Sequence, residues 1–276
     1  MLLLLIPIIS IPLIIFTYCK KLIINEYYSD KKENIEILSY NVANLPFKCK
    51  DLNLVNDLIK DKDIVYLQEV FMYNPNIRKW LKQISKKYKF NVLYIPQINL
   101  CKFRVLDSGL VILSKFDFIN YKFIPFKKLF NVDYFSNKGI LHATIIINNK
   151  IVYLYNLHNQ SIYNKTLTQK QINLMRNNME YFNLDNKNII IGGDFNIDYK
   201  LIKDKFPDME VDLPNYNTCY TLWKDEKEIK SISYYKKNYN GVTLDYFLTK
   251  NLVLEMVDNN EINDHISDHR YIHGII

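Results

Sequence analysis

Residues 188–196 read NIIIGGDFN. Ile189, Ile190 and Ile191 form a short β-prone run that predicts a strand ending at Gly192-Gly193. Two polar residues, Asp194 and Asn196, then follow at its carboxyl end. The same order, apolar run first and polar group after it, recurs along the chain. Asn41 follows Ile37-Leu38-Ser39-Tyr40, Glu69 follows Ile64–Gln68, and His158 follows Ile151–Leu157. Asp245 sits inside an apolar run, and Asp268-His269 precede the last one. Strand ends are rigid supports that can aim side chains into one shared cleft.

Around these points the periodicity alternates between two and 3.6 residues. Strands are expected at 35–42, 64–67, 110–113, 140–147, 151–157, 242–248 and 270–276, and helices at 51–60, 77–88 and 168–182. Asn148-Asn149-Lys150 reads as the turn of a hairpin. Mixed strands and helices with long hairpins predict an α/β or α+β sandwich, helices outside packed sheets. There is no internal repeat and no low-complexity linker, so residues 35–276 are expected to form one catalytic-sized domain.

The N-terminus differs. Residues 1–18, MLLLLIPIISIPLIIFTY, carry no charge and are about long enough to span a bilayer. Pro7 and Pro12 are better tolerated in a membrane helix than in a soluble one. No basic segment precedes the run and no small-x-small cleavage site ends it. The expectation is a transmembrane anchor, or uncleaved signal, over residues 1–19, then a polar connector over 20–34. Lys20 and Lys21 after the run place the domain on the cytoplasmic side of a single-pass protein.

The net charge of +7 favours an anionic partner: nucleic acid, an acidic membrane surface or a phosphorylated substrate. Only Arg78, Arg104, Arg176 and Arg270 are arginine, which argues against sequence-specific DNA reading. Cys19, Cys49, Cys101 and Cys219 contain no CxxC, so zinc ligation has no support; Cys19 ends the apolar run and the other three are an odd number, so a full disulfide framework is not expected.

Glu69, Asp194, Asp268 and the amide oxygens of Asn41 and Asn196 are hard oxygen donors. They suit Mg²⁺ or Mn²⁺ and not zinc. His269 and His158 can move or donate protons near neutral pH. Asp245 is suited to orient His269. No serine or cysteine nucleophile elbow is present, so attack by water on phosphorus is the coherent reaction.

The stretches SYNV (39–42), LQEVF (67–71), GGDFN (192–196), LDYFL (244–248) and SDHR (267–270) resemble, in order, the motifs of the endonuclease/exonuclease/phosphatase superfamily, to which deoxyribonuclease I belongs. The resemblance spans residues 35–276. It implies a four-layer α/β/β/α sandwich and a metal-dependent phosphodiesterase. It further implies metal binding by Asn41, Glu69 and Asp268, and catalytic roles for Asp194, Asn196, His158, Asp245 and His269. YNVANLP (40–46), DSGLVILSK (107–115), NKGILHATI (137–145) and NLHNQ (156–160) are similar to neutral sphingomyelinases. Leu157 stands where the family commonly has Thr. Ala43 stands where abasic-site endonucleases often carry an acid.

The resemblance implies Mg²⁺-dependent hydrolysis of a phospholipid, sphingomyelin to ceramide and phosphocholine, by a monomer working on its membrane. A nuclease on the same site is the alternative, and a non-catalytic membrane binding protein the second. His142 reads as a packed histidine, and His265 and His273 as surface or strand residues. Ser108, Lys138 and Gly139 have conformational or phosphate-side readings. The run 121–135, YKFIPFKKLFNVDYF, reads equally as an interfacial loop or as an edge strand with core-facing aromatics.

Overall fold

A computed structural model describes residues 21–27, 32–44, 51–71, 73, 76–127, 131–160, 165–181, 186–197, 199–216, 218, 243–257, 267 and 269–276. In chain order the elements are β1 (Leu22–Ile24), β2 (Glu36–Asn44), α1 (Asn56–Ile59), β3 (Ile64–Val70), α2 (Asn76–Tyr88), β4 (Asn91–Tyr94), β5 (Val111–Ser114), β6 (Asn120–Pro125) and β7 (Gly139–Ile147). There follow β8 (Lys150–His158), α3 (Lys165–Tyr181), β9 (Asn188–Asp194), α4 (Tyr199–Lys203), β10 (Glu210–Asp212), β11 (Asp245–Lys250), β12 (Glu255–Met256) and β13 (Ile272–Ile275).

The strands form two mixed sheets. One has the order β1-β4-β5-β3-β2-β13-β12, the other β10-β11-β9-β8-β7-β6. Strand alternation explains why they stack. Ile37, Ile64 and Tyr66 point between the sheets, where they meet Leu141, Ala143, Leu154, Ile190 and Phe247. Their neighbours Leu38, Val65 and Leu67 point the other way, onto Ile77, Trp80, Leu81 and Ile84 of α2. In β9, Ile190 enters the inter-sheet core while Ile189 and Ile191 pack with Ile172 and Met175 of α3. Three apolar cores therefore separate four layers, helix, sheet, sheet and helix. Each fully buried Ile contributes roughly 1.5–3 kcal/mol relative to exposure.

A polar bridge crosses the inter-sheet core. Asn156 on β8 donates to the carbonyls of Leu67 (2.9 Å) and Val111 (2.8 Å), and accepts from Gln68 Nε2 (2.8 Å). All its partners lie on the opposite sheet. A fully satisfied buried amide fixes how one sheet sits on the other.

Each sheet contains one parallel pair: β2 beside β3, and β8 beside β9. Asn41, Glu69, His158 and Asp194 come from these four strands.

The structure departs from the sequence expectations chiefly in its short strands. The stretch 20–34 is not wholly a connector, because β1 pairs with β4 at the sheet edge. Asn91 secures it by accepting from the backbone N–H groups of Glu26 (2.8 Å) and Tyr27 (2.9 Å). Strand β4 was also not expected as such. β6 makes the edge-strand reading of 121–135 correct for its first part, with Phe123 and Ile124 buried. No helix among the described residues is long and apolar enough to cross a membrane, and the anchor expected at 1–19 lies outside the described residues.

Candidate active site

Asn41 lies where β2 breaks register against β3, between Asn41 and Asn44. The bulge puts Ala43 at φ 46° and turns the Asn41 side chain across the sheet gap. Its Oδ1 accepts from Ala43 N (3.0 Å), while its Nδ2 donates to Asp194 Oδ2 (3.0 Å) and Glu69 Oε1 (3.3 Å). One amide thus gathers two carboxylates from different sheets. Glu69 and Asn196 have positive φ, 60° and 49°. Left-handed backbone at non-glycine residues is costly and clusters at functional sites.

Gly193 explains the approach of His158 to Asp194. At φ +135° it lies so near β8 that an added Cβ would stand 2.1 Å from the Leu157 carbonyl oxygen. The pairing of β8 and β9 then sets His158 directly opposite Asp194. Asp245 is the first residue of β11 and faces Asp194 across the other side of β9.

His269 Nδ1 lies 2.7 Å from Asp245 Oδ2, and its Nε2 lies 3.7 Å from Asp194 Oδ2. With Nδ1–H donating to the carboxylate, Nε2 is left as a base facing the carboxylate cluster. Ser267 holds this loop: its Oγ donates to the Asn41 carbonyl (2.6 Å) and accepts from His269 N (3.1 Å). Thr218 holds the partner strand, its Oγ1 accepting from the N–H groups of Leu244 and Asp245, both at 3.0 Å. Neither residue stands out in the sequence, because single hydroxyls in loops carry no periodicity.

His158 is fully buried. Its Nε2 lies 2.9 Å from Lys138 Nζ, 3.5 Å from Asp194 Oδ2 and 3.7 Å from Glu69 Oε1. Burial, then the charges of Lys138 and His269, pushes its pKa well below the usual histidine range. It is neutral, accepts at Nε2 from the lysine ammonium, and carries its proton on Nδ1. Lys138 brings its side-chain nitrogen to this corner. That residue also pairs with Asp133 Oδ1 (2.9 Å) and donates to the Asn159 carbonyl (2.9 Å). Of the two readings of Lys138 in the sequence, the structure places it inside the cluster. Gly109, within the block 107–115, sits against Glu69: an added Cβ would lie 3.0 Å from the Glu69 Cα.

Asn196 donates from its backbone to Asp194 Oδ1 (2.8 Å) and from Nδ2 to Asp194 Oδ2 and the Asn159 carbonyl, both at 3.1 Å. Burial raises the Asp194 carboxyl to about 7, with His269 opposing and Asp245 adding to the rise. A cation would relieve this crowding of carboxylates, and Glu69 and Asp194 supply the hard oxygen donors that Mg²⁺ prefers. Asp194, Asp245 and His269 also bring ligand atoms within 4.8 Å of one another. Asp245 and His269 are engaged with each other, however, so the donor set on the Glu69 side fits the ion better. Asp268 lies outside the described residues. His142 is packed, stacked on Tyr155 with ring centroids 4.6 Å apart, well outside this cluster of contacts. His273 lies on β13 at the other end of the sheet, against Glu36 and Lys62.

Two carboxylates, an Asp–His pair and a buried lysine thus meet at the ends of two parallel strand pairs. The endonuclease/exonuclease/phosphatase family profile matches residues 38–269, which takes in every one of these groups. The chain belongs to this family. It is a hydrolase, a phosphodiesterase that depends on a divalent metal. No curated protein sequence matches it significantly. Among solved structures it is similar to beta toxin from Staphylococcus aureus with bound magnesium ions (20% identity, 87% of this chain and 99% of that one, TM-score 0.65). It is similar also to sphingomyelinase C from Streptomyces griseocarneus (16% identity, 88% and 99%, TM-score 0.60). D. rerio TDP2 complexed with a single-stranded DNA product aligns over the same extent (14% identity, 88% and 99%, TM-score 0.59). At these identities the likeness is one of fold.

Proposed function

We propose that this phosphodiesterase hydrolyses a membrane phospholipid in the manner of a sphingomyelinase, releasing ceramide and phosphocholine from sphingomyelin. The observation that carries the reading is where the two sphingomyelinase-like blocks go. Residues 107–115 bring Gly109 against Glu69, and residues 137–145 bring Lys138 onto His158. Both blocks contribute to the floor of the site and not to a distant surface. The sphingomyelinase C among the similar structures supports the same reading.

The chain's own groups would act as follows. His269, oriented by Asp245 at 2.7 Å, takes the proton of the attacking water at Nε2. The positive charge of Lys138, whose three donors are held by His158, Asp133 and the Asn159 carbonyl, would act on the phosphoryl oxygens through space as charge builds on them, with the Asn196 amide beside it at Asp194. Asn41 and Glu69, with Asp194, would hold the divalent cation, and His158 positions the Lys138 ammonium. When bound, the cation polarises the phosphoryl oxygen and stabilises the departing alkoxide. Residues 1–19 would hold the protein, as a monomer, to its membrane with the domain on the cytoplasmic side. That tether would raise the local concentration of lipid.

A nuclease reading is favoured by the net charge of +7 and by the similarity to a DNA-bound TDP2. Phosphocholine release from sphingomyelin vesicles and nicking of plasmid DNA, measured side by side with Mg²⁺, with EDTA and with His269→Ala, decide between them. The expected result is phosphocholine release that needs both Mg²⁺ and His269, without nicking. Nicking without phosphocholine release would sink the lipid reading and leave the family chemistry in place.

A further inference from the structure

Two loops leave the active site side by side and end in apolar tips. One runs from Asp107 back through Val105, Phe103 and Leu100; the other runs from Lys138 back through Phe135 and Tyr134. They are riveted together. Leu106 N donates to the Phe135 carbonyl and Asn137 N to the Leu106 carbonyl, both at 2.9 Å. The buried Arg104 guanidinium reaches the carbonyls of Phe126 (2.8 Å) and Lys127 (3.1 Å) and Asn137 Oδ1 (2.9 Å). On this rigid base stand Leu100, Phe103, Val105, Tyr134 and Phe135, all exposed, Phe103 to 69%. Phe103 is held outward by a left-handed backbone, φ 54°, closing the short turn that Leu100 opens. Tyr134 and Phe135 touch edge to face, ring centroids 5.9 Å apart. Lys102 lies exposed beside them.

Scattered exposed apolar residues need no explanation, but a contiguous group on a braced support does. We propose that this shelf docks the enzyme on a phospholipid bilayer, its tips seated among the headgroups and upper acyl chains. The proposal rests on the phospholipid reading above and adds the surface that presents the lipid. Three observations favour a bilayer as occupant. The tips mix aliphatic with aromatic side chains, which suits acyl chains. The two touching rings stand at 87°, so they offer no common plane on which bases could stack. The arginine of the shelf is turned inward and buried, so no guanidinium is offered to a nucleic-acid backbone, whereas an exposed Lys suits headgroup phosphates. The roots of the same loops carry Lys138 and Gly109, so docking the tips brings the catalytic groups down onto headgroup level.

The full chain, with Cys19, Cys49 and Cys219 replaced by Ser, is labelled at the exposed Cys101 with a polarity-sensitive fluorophore and mixed with sphingomyelin/phosphatidylcholine vesicles whose acyl chains are brominated. In parallel, the doubly substituted Phe103→Ser, Phe135→Ser chain is assayed on vesicles and on soluble bis(p-nitrophenyl) phosphate. The expected result is quenching of the probe by brominated lipid, and a fall of about tenfold or more in vesicle turnover with less than a twofold change on the soluble ester. An unquenched probe overturns the shelf even if sphingomyelin is hydrolysed. Equal losses on both substrates overturn it too, as does a shelf substitution that turns a dimer into a monomer. A quenched probe in an enzyme that cleaves DNA but not sphingomyelin upholds the shelf and rejects the substrate reading.

Discussion

At the scale of single residues, the site works through division of charge. Asp245 and His269 form a pair whose second ring nitrogen faces the carboxylates, so replacing Asp245 by Asn keeps the shape and loses the tautomer. Turnover of bis(p-nitrophenyl) phosphate should fall about 10²–10⁴-fold, with thermal midpoint little changed. Lys138 and Asp133 form a buried ion pair at 2.9 Å. Removing only the cation by Lys138→Met takes the ammonium from a buried carboxylate, at a cost of roughly 3–5 kcal/mol. Adding Asp133→Asn should recover much of that stability in denaturant titrations. Turnover should stay low in the double variant, because the positive charge beside His158 and the carboxylates is gone. Recovery of activity along with stability would mean that Lys138 is only structural.

At the scale of elements, the parallel pair β8–β9 is the support on which the site depends most. Gly193→Ala would drive a methyl to 2.1 Å from the Leu157 carbonyl oxygen at a φ that L residues avoid. We expect a loss of more than about 3 kcal/mol, read as a lowered denaturation midpoint, and with it the alignment of His158 to Asp194. Thr218→Val is milder: two buried N–H groups lose their acceptor, which costs about 1–3 kcal/mol and loosens Asp245. The isoleucine run and its terminal Asp were legible in the sequence because a strand end is written in local periodicity, and the same holds for Asn41, Glu69 and His158. Thr218, Ser267 and the bracing role of Lys138 were not, since each acts through partners far along the chain. Short strands such as β1 at the sheet edge were missed for a related reason. Their residues are half solvated, so polar and apolar side chains do not alternate cleanly.

At the scale of the molecule, two sheets must hold one registry, and Asn156 is the bolt. Asn156→Leu would take this donor from two buried carbonyls and leave Gln68 Nε2 with Ser39 Oγ as its acceptor, and both stability and turnover should fall together. Acid should weaken the fold through His142. Burial depresses its pKa to about 4, from 6.5 in the unfolded chain. The neutral form is favoured when folded, so this contribution is complete above pH 6.5 and is lost as pH falls from 6.5 towards 4. His142→Gln keeps a donor for the Leu154 carbonyl and should flatten the stability profile across that window in denaturation at stepped pH. A slope unchanged by the substitution would assign the acid sensitivity elsewhere.

Ser267, which sets the base, rests on the carbonyl of Asn41, which lies 226 residues earlier in the sequence. Activity must therefore arrive abruptly during synthesis. A nascent chain can complete β2, β3, β8 and β9 and still be chemically silent until the segment that closes against Asn41 has left the ribosome. A prematurely terminated product lacking that segment would be inert, so translation errors would yield dead protein and not a stray, partly active hydrolase.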